Sequence, residues 1–231
     1  SPGFTTYNYT MDWGDGTTSS GVSGTITHTY SDHTVLHTVK IAGTFPQFWA
    51  DNNNVDPSNA HQLVSIDQWG NIQWQNMFRA FNNALFMKYN AADAPDLSNC
   101  TNLSRMFVNC LQFDENTDLS TWDVSNVEAF SNMFLNTPNF NGNVDNWTLT
   151  NAKDLSGMFQ AARKFNRDIS GWNVSGVTTM RAMFHTATSF NQDIGDWNIS
   201  RLTNTIDMFL DATSFNQDIS TWERTSPDVS T

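Results

Sequence analysis

Past about residue 90 the apolar positions of this chain recur on a fixed schedule. In the stretch from Trp172 to Ile194 they fall at Trp172, Val174, Val177, Met180, Met183, Phe184, Ala187, Phe190 and Ile194, with polar residues between them. The same slots return every 25 residues. Tryptophan stands at Trp122, Trp147, Trp172, Trp197 and Trp222, and Met-Phe pairs stand at Met133-Phe134, Met158-Phe159, Met183-Phe184 and Met208-Phe209. Earlier pairs occur at Met77-Phe78 and Met106-Phe107. A constant period of this size marks a tandem array of stacked units, because one copy cannot bury its apolar side chains alone.

Two periodicities share each copy. Ile194-x-x-Trp197-x-Ile199 has the form of a leucine-rich-repeat strand, whereas Met180, Met183, Phe184 and Ala187 stand at i, i+3, i+4 and i+7, one face of a short helix. Ser125, Thr150, Ser175 and Ser200 lie between the two and have the hydroxyl that opens a helix. The expected fold is therefore an α/β repeat solenoid, leucine-rich-repeat-like, of short parallel strands and short helices. Its strands would lie about 4.8 Å apart, with the five tryptophans in one buried ladder. The Phe140, Phe165, Phe190 and Phe215 column would run beside it, and Asn141, Asn166, Asn191 and Asn216, which follow that column, are read as buried asparagines satisfying loop backbone.

The phrases MFHTATSFNQDIGDWNIS and MFLDATSFNQDISTW resemble the BspA-like, Mycoplasma-lipoprotein-type surface repeat, a leucine-rich-repeat relative, over about residues 96 to 223. That resemblance implies an extracellular, non-enzymatic protein of adhesion or receptor contact, found on bacterial surfaces and in some phage particles. It brings no catalytic residues with it.

The N-terminal part reads differently. Tyr7, Tyr9, Met11 and Trp13 alternate and run into Gly14-Asp15-Gly16, which favours a tight hairpin; Val35, His37, Val39 and Ile41 suggest a second alternating strand. WGDG followed by HTY is similar to the PKD-type β-sandwich over roughly residues 5 to 43, an adhesion and spacer module. Three regions result: a PKD-like β-domain over 1–45, a transition and degenerate capping repeat over 46–90, and the repeats over 91–231. Within the second, residues 72–89 are expected to form a longer helix and 63–66 a strand, and residues 1–70 are expected to close the N-terminal end of the array. Two irregularities follow: Pro95 takes a tryptophan slot, and Asp114-Glu115-Asn116-Thr117 carries a two-residue insertion. After Trp222 the chain turns polar around Pro227, which either blunts the strand edge or precedes further copies.

Charge narrows the partners. A net charge of −12 and a pI near 4.5 argue against nucleic acid and anionic membrane, and no run of 18 apolar residues offers a membrane span. The chain opens with Ser1-Pro2-Gly3, shows no signal peptide, and is read as a piece of a longer protein whose other domains are natural partners. Cys100 and Cys110 occupy small apolar slots of the repeat and are read as buried hydrophobes, with a disulfide and metal ligation as the alternatives.

The columns beside the tryptophans are small and polar. Asp123, Thr148, Asn173, Asn198 and Glu223 follow them, and Thr121, Asn146, Gly171, Asp196 and Thr221 precede them. The candidate ligand-binding residues are Asp123, Asn146, Thr148, Asn173, Asp196, Asn198 and Glu223, on a strand face suited to a protein or glycan of a host or neighbouring surface. A solvated sheet face is the plain alternative. A further column, Asp118, Asn143, Asp168, Asp193 and Asp218, is assigned to capping loop amides, with calcium as the alternative. His28, His33 and His37 near Asp12 and Asp15 invite a metal reading, set against packing and turn roles. No cofactor, metal or catalytic constellation is implied. The functional expectation is a receptor-binding or adhesion module, or else a structural spacer or assembly segment without a ligand.

Overall fold

The computed structural model describes residues 6–32, 34–49 and 58–224, with only the backbone at Ser58, Asn59, Glu223 and Arg224. Strand β1 (Asn8–Asp12) pairs antiparallel with both β2 (Thr18–Val22) and β3 (Lys40–Thr44), giving a three-stranded sheet of order β2-β1-β3. Tyr9, Met11 and Trp13 point to its buried side. The strand expected over Val35 to Ile41 forms only from Lys40 onward. Val35 and Val39 are exposed and find no apolar surface, so alternation alone does not hold them in the sheet.

The sheet packs onto the repeats without a gap in the core. Phe45 lies edge-on to Trp74, Phe48 meets Phe81 at 5.2 Å, and Gln75 donates its N–H to the carbonyl of Pro46. A short helix α1 (Ser58–His61) precedes β4 (Ser65–Ile66), which pairs in parallel with β5 (Lys88–Tyr89).

The expected α/β solenoid does not form. Among the described residues the one α-helix is the four-residue α1, outside the repeats, and no helical layer closes the stack. Neighbouring copies meet instead through single parallel bridges, such as Ala129 to Asp154, Asp154 to Thr179 and Thr179 to Asn204. The anticipated leucine-rich-repeat strand is a pair of turns, in which Trp197 donates its N–H to Ile194 and Leu202 donates to Ile199. Ser125, Thr150, Ser175 and Ser200 therefore have no helix to open.

The Met-Phe segment explains why the helical pattern misleads. In the third copy Phe130, Asn132, Phe134 and Asn136 donate their N–H groups forward to Asp154, Ser156, Met158 and Gln160. The intervening amides of Met133, Leu135 and Thr137 close local turns onto the carbonyls three residues back. Successive amides thus alternate between neighbour and self, whereas a helix would direct every one inward. Four such forward bonds recur at each junction from Met77 through Thr186. Residues 132 and 136 take φ of 56° and 55°, as do their equivalents at 79/83, 105/109, 157/161, 182/186 and 207/211 with values between 54° and 64°. That left-handed conformation suits Asn, Asp and Gly, which fill Asn83, Asn109, Asn132, Asn136, Gly157, Asp207 and Asp211. The zigzag still turns Phe130, Met133, Phe134 and Thr137 into the core, so the i, i+3, i+4, i+7 spacing appears without a helix.

The helix expected over 72–89 is the first of these turned segments, with positive φ at Arg79 and Asn83.

Stacked rings fill the interior. Within a copy the two phenylalanines lie 3.7 Å apart at Phe159/Phe165 and 3.8 Å at Phe184/Phe190; between copies Phe159 and Phe184 are 5.9 Å apart. The five tryptophans are buried, and the indole centroids of Trp122/Trp147, Trp147/Trp172 and Trp197/Trp222 are 6.3–6.4 Å apart. That exceeds the 4.8 Å spacing expected of paired strands.

Ala161, at φ 58°, distinguishes the two conformations. In a helix Ala161→Gly costs about 1 kcal/mol; in the left-handed turn it relieves strain and stabilises by up to about 1 kcal/mol. Urea unfolding of the variant is expected to show the gain.

Candidate functional surface

Each copy builds its outer edge from side chains that fold back on their own backbone. Asp118, Asn143, Asp168, Asp193 and Asp218 accept the N–H two residues on, from Ser120, Asp145, Ser170, Gly195 and Ser220, at 2.9–3.2 Å. Asp123, Asn173 and Asn198 do the same for Ser125, Ser175 and Ser200 at 3.0–3.2 Å. These are Asx turns, which bend the chain before and after each indole.

Asp123, Asn146, Thr148, Asn173, Asp196 and Asn198 are all exposed, while the side chain of Glu223 lies outside the described residues. They flank the buried indoles on turns, so the expected strand face is absent. Asp123, Asn173 and Asn198 each commit one oxygen to a turn, leaving Asn146, Thr148 and Asp196 as the members without that duty.

The indoles hold this edge in place. Trp147 Nε1–H donates to the carbonyl of Leu119 at 2.8 Å, which also accepts the N–H of Trp122 at 3.1 Å. Trp172 repeats the arrangement on Val144 and Trp197 on Ile169. At the start of the ladder Tyr89 substitutes, its hydroxyl accepting from both Trp69 and Trp122. Burial raises the Tyr89 pKa above the ordinary phenol value.

The asparagine column is half-exposed to exposed, contrary to the buried expectation. Its amide oxygens pass from copy to copy: Asn141 Oδ1 accepts the N–H of Asn166, Asn166 that of Asn191, and Asn191 that of Asn216, each at 2.9 Å. Gln192 and Gln217 add side-chain donors to the same oxygens.

His33 lies outside the described residues. His28 is 2.7 Å from the Asp15 carboxylate and stacks on Trp13, while His37 stacks on Tyr30 at 4.1 Å. The Thr17 hydroxyl, followed by His28, holds the Asp15 carboxyl well below the usual range. The described residues contain no group of three or more metal-ligating side chains. Cys100 and Cys110 are both buried free thiols, so the disulfide alternative does not form. Burial pushes Cys100 up to about 11 and raises Cys110 further.

A cleft of about 300 Å³ opens between β5 and the insertion at 114–117, lined by Lys88, Asn90, Gln112, Asp114, Asn116 and Thr117 together with Tyr89. It lies apart from the polar columns beside the indoles. Its one sequence signal is the break in the 25-residue period.

Acid should weaken the turns. The hydroxyl and amide of Ser125 lower the Asp123 pKa, and those of Ser170 and Ser98 lower Asp168 and Asp96. A carboxyl depressed in the folded state stabilises above its unfolded value of about 3.9 and loses that contribution as pH falls through the folded value. Asp145, raised by burial, works in the opposite sense. The melting temperature is expected to hold from about pH 7 to 5 and drop below about pH 4. Asp168→Asn, which keeps a turn acceptor, should make that drop shallower.

Comparison with known proteins places the repeats. The family described as "Mycoplasma protein of unknown function, DUF285" matches residues 52–164 and again 143–230. No curated protein and no solved structure matches the chain. The two matches together span most of the sequence and take in every Met-Phe copy, so the chain belongs to this DUF285 family of surface-repeat proteins.

Proposed function

We propose that this protein is a non-enzymatic adhesion or receptor-binding module, displayed outside the cell or on a virion surface. It recognises a polar protein or glycan target through the exposed side chains that flank successive indoles. The observation that carries this reading is the row Asp123, Asn146, Thr148, Asn173, Asp196 and Asn198, all exposed and recurring on turns that are tied to a buried aromatic stack. Rigid backing matters because side chains already held in place lose little freedom on binding. Hydroxyl, amide and carboxylate groups together suit a flat, hydrogen-bonding partner. The N-terminal sheet, read as a reduced PKD-like module, would then serve as the spacer that presents the repeats.

The test replaces Asn146, Thr148 and Asp196 together with alanine, since none of these side chains supports a turn. Binding of the purified protein to host-type cells or to a glycan array is expected to weaken by about tenfold, near 1.4 kcal/mol, while the melting temperature stays unchanged. Equal binding by the variant would remove the row from consideration. Absence of any binding by the parent protein would favour a spacer without a ligand.

A further inference from the structure

The insertion at 114–117 is one of the places where this chain departs from its own repeat. Met106 and Met133 are 27 residues apart where later copies keep 25, and the extra length falls in Asp114-Glu115-Asn116-Thr117. These residues do not loosen the stack. Asn116 donates its N–H to the Asp114 carboxylate at 2.9 Å, and Asp114 donates its own N–H to the Thr117 hydroxyl at 3.2 Å. Thr117 is buried, and its carbonyl resumes the pairing by accepting the N–H of Asn143 at 3.1 Å. A Cβ at Gly142 would collide with that carbonyl, so the loop lies directly against the next copy.

The opposite wall is equally fixed. Lys88 and Asn90 donate their backbone N–H groups to Val64 and Ile66 at 2.9 Å, and the Asn90 amide bonds Asp67. Tyr89 between them is held by the two indole donors. The two walls flank the cleft of about 300 Å³, which is open to solvent. An insertion in one copy of a regular array commonly forms a binding loop, and a walled, hydrogen-bonding cleft gives this one a definite chemistry.

Lys88 and Asp114 are the two charged residues of the lining, one of each sign, and the rest of it is polar and uncharged. Asn90, Gln112 and Asn116 add amides, each able both to donate and to accept, and Thr117 adds a hydroxyl. A small, neutral ligand rich in hydroxyl groups satisfies such a set, and the volume, at the lower end for ligand pockets, accommodates a sugar ring. We propose that this cleft binds one neutral sugar unit, either as a free monosaccharide or as the terminal residue of a glycan. It deepens the adhesive reading by naming a ligand class, but rests on different residues from the row beside the indoles, so either can fail alone.

The experiment is an amide-resolved NMR titration of the whole chain with a panel of neutral methyl glycosides, followed by the matching oligosaccharides. Saturable shifts are expected at residues 88–90 and 112–117. Tighter binding of the oligosaccharide identifies a glycan end as the natural ligand, and equal binding identifies the free sugar. Lys88→Ala combined with Gln112→Ala should weaken the response by about tenfold with the remaining spectrum intact. Deleting Glu115 and Asn116, which restores the 25-residue spacing, should abolish it while the Trp and Phe core resonances persist. The alanine triple at Asn146, Thr148 and Asp196 should leave it unchanged. Shifts absent for every sugar, located elsewhere, unaltered by the double variant, or elicited by inorganic phosphate in place of sugar would overturn the proposal.

Discussion

The structure depends on a division of labour among backbone amides. In each Met-Phe segment from Met77 through Thr186, alternate N–H groups leave the segment and bond the carbonyls of the next copy, while the others close turns at home. All forward bonds point the same way along the stack. Within this segment a copy therefore donates on one side and accepts on the other, while Glu128, Lys153, Thr178 and Thr203 donate back to the preceding copy, and only another copy in the same orientation satisfies the whole set. This is the backbone reason why the unit exists as a tandem array, and it complements the hydrophobic reason that one copy cannot cover its own rings.

The rings are placed by that ladder and in turn protect it. Forward bonds set the offset between copies, and the offset lets the within-copy pair of Phe159 and Phe165 continue through Phe184 as one column. The indoles are oriented by polar contacts as well as by packing. Each carbonyl of Leu119, Val144 and Ile169 accepts one backbone and one indole N–H, so the tryptophan N–H enters a dry interior without losing its partner. Phenylalanine in these slots would leave the carbonyl with one partner fewer.

Two features of the outer edge have different origins. The polar row beside the indoles is a product of the repeat: the same Asx turns that bend the chain also bring Asp123, Asn173 and Asn198 to the surface. The cleft at 112–117 is a product of the exception, a loop that closes on itself through Asp114 and Thr117 while the stack continues beneath it. A regular array supplies rigidity, and its irregularity supplies concavity.

The sequence by itself determined the unit length, the burial of the Trp, Phe and Met columns, and the exposure of the small polar residues, because each follows from side-chain hydropathy at a fixed spacing. It also held the Asp118 to Asp218 column in a form readable as amide capping, since Asp and Asn followed two residues later by Ser make local turns. It did not determine the path of the backbone. A spacing of i, i+3, i+4, i+7 is met equally by a helix and by consecutive turns with positive φ at every fourth residue; the bonds that decide between them run to another copy and leave no trace in the segment's own hydropathy. The Asn, Asp and Gly at 83, 109, 132, 136, 157, 207 and 211 were the local clue, weakened by Arg79, Arg105, Ala161, Ala182 and Thr186 in the same columns. The asparagine ladder, Tyr89 as the terminus of the indole series, and the cleft beside the insertion were settled only in three dimensions, because each joins residues brought together by stacking and not by succession in the chain.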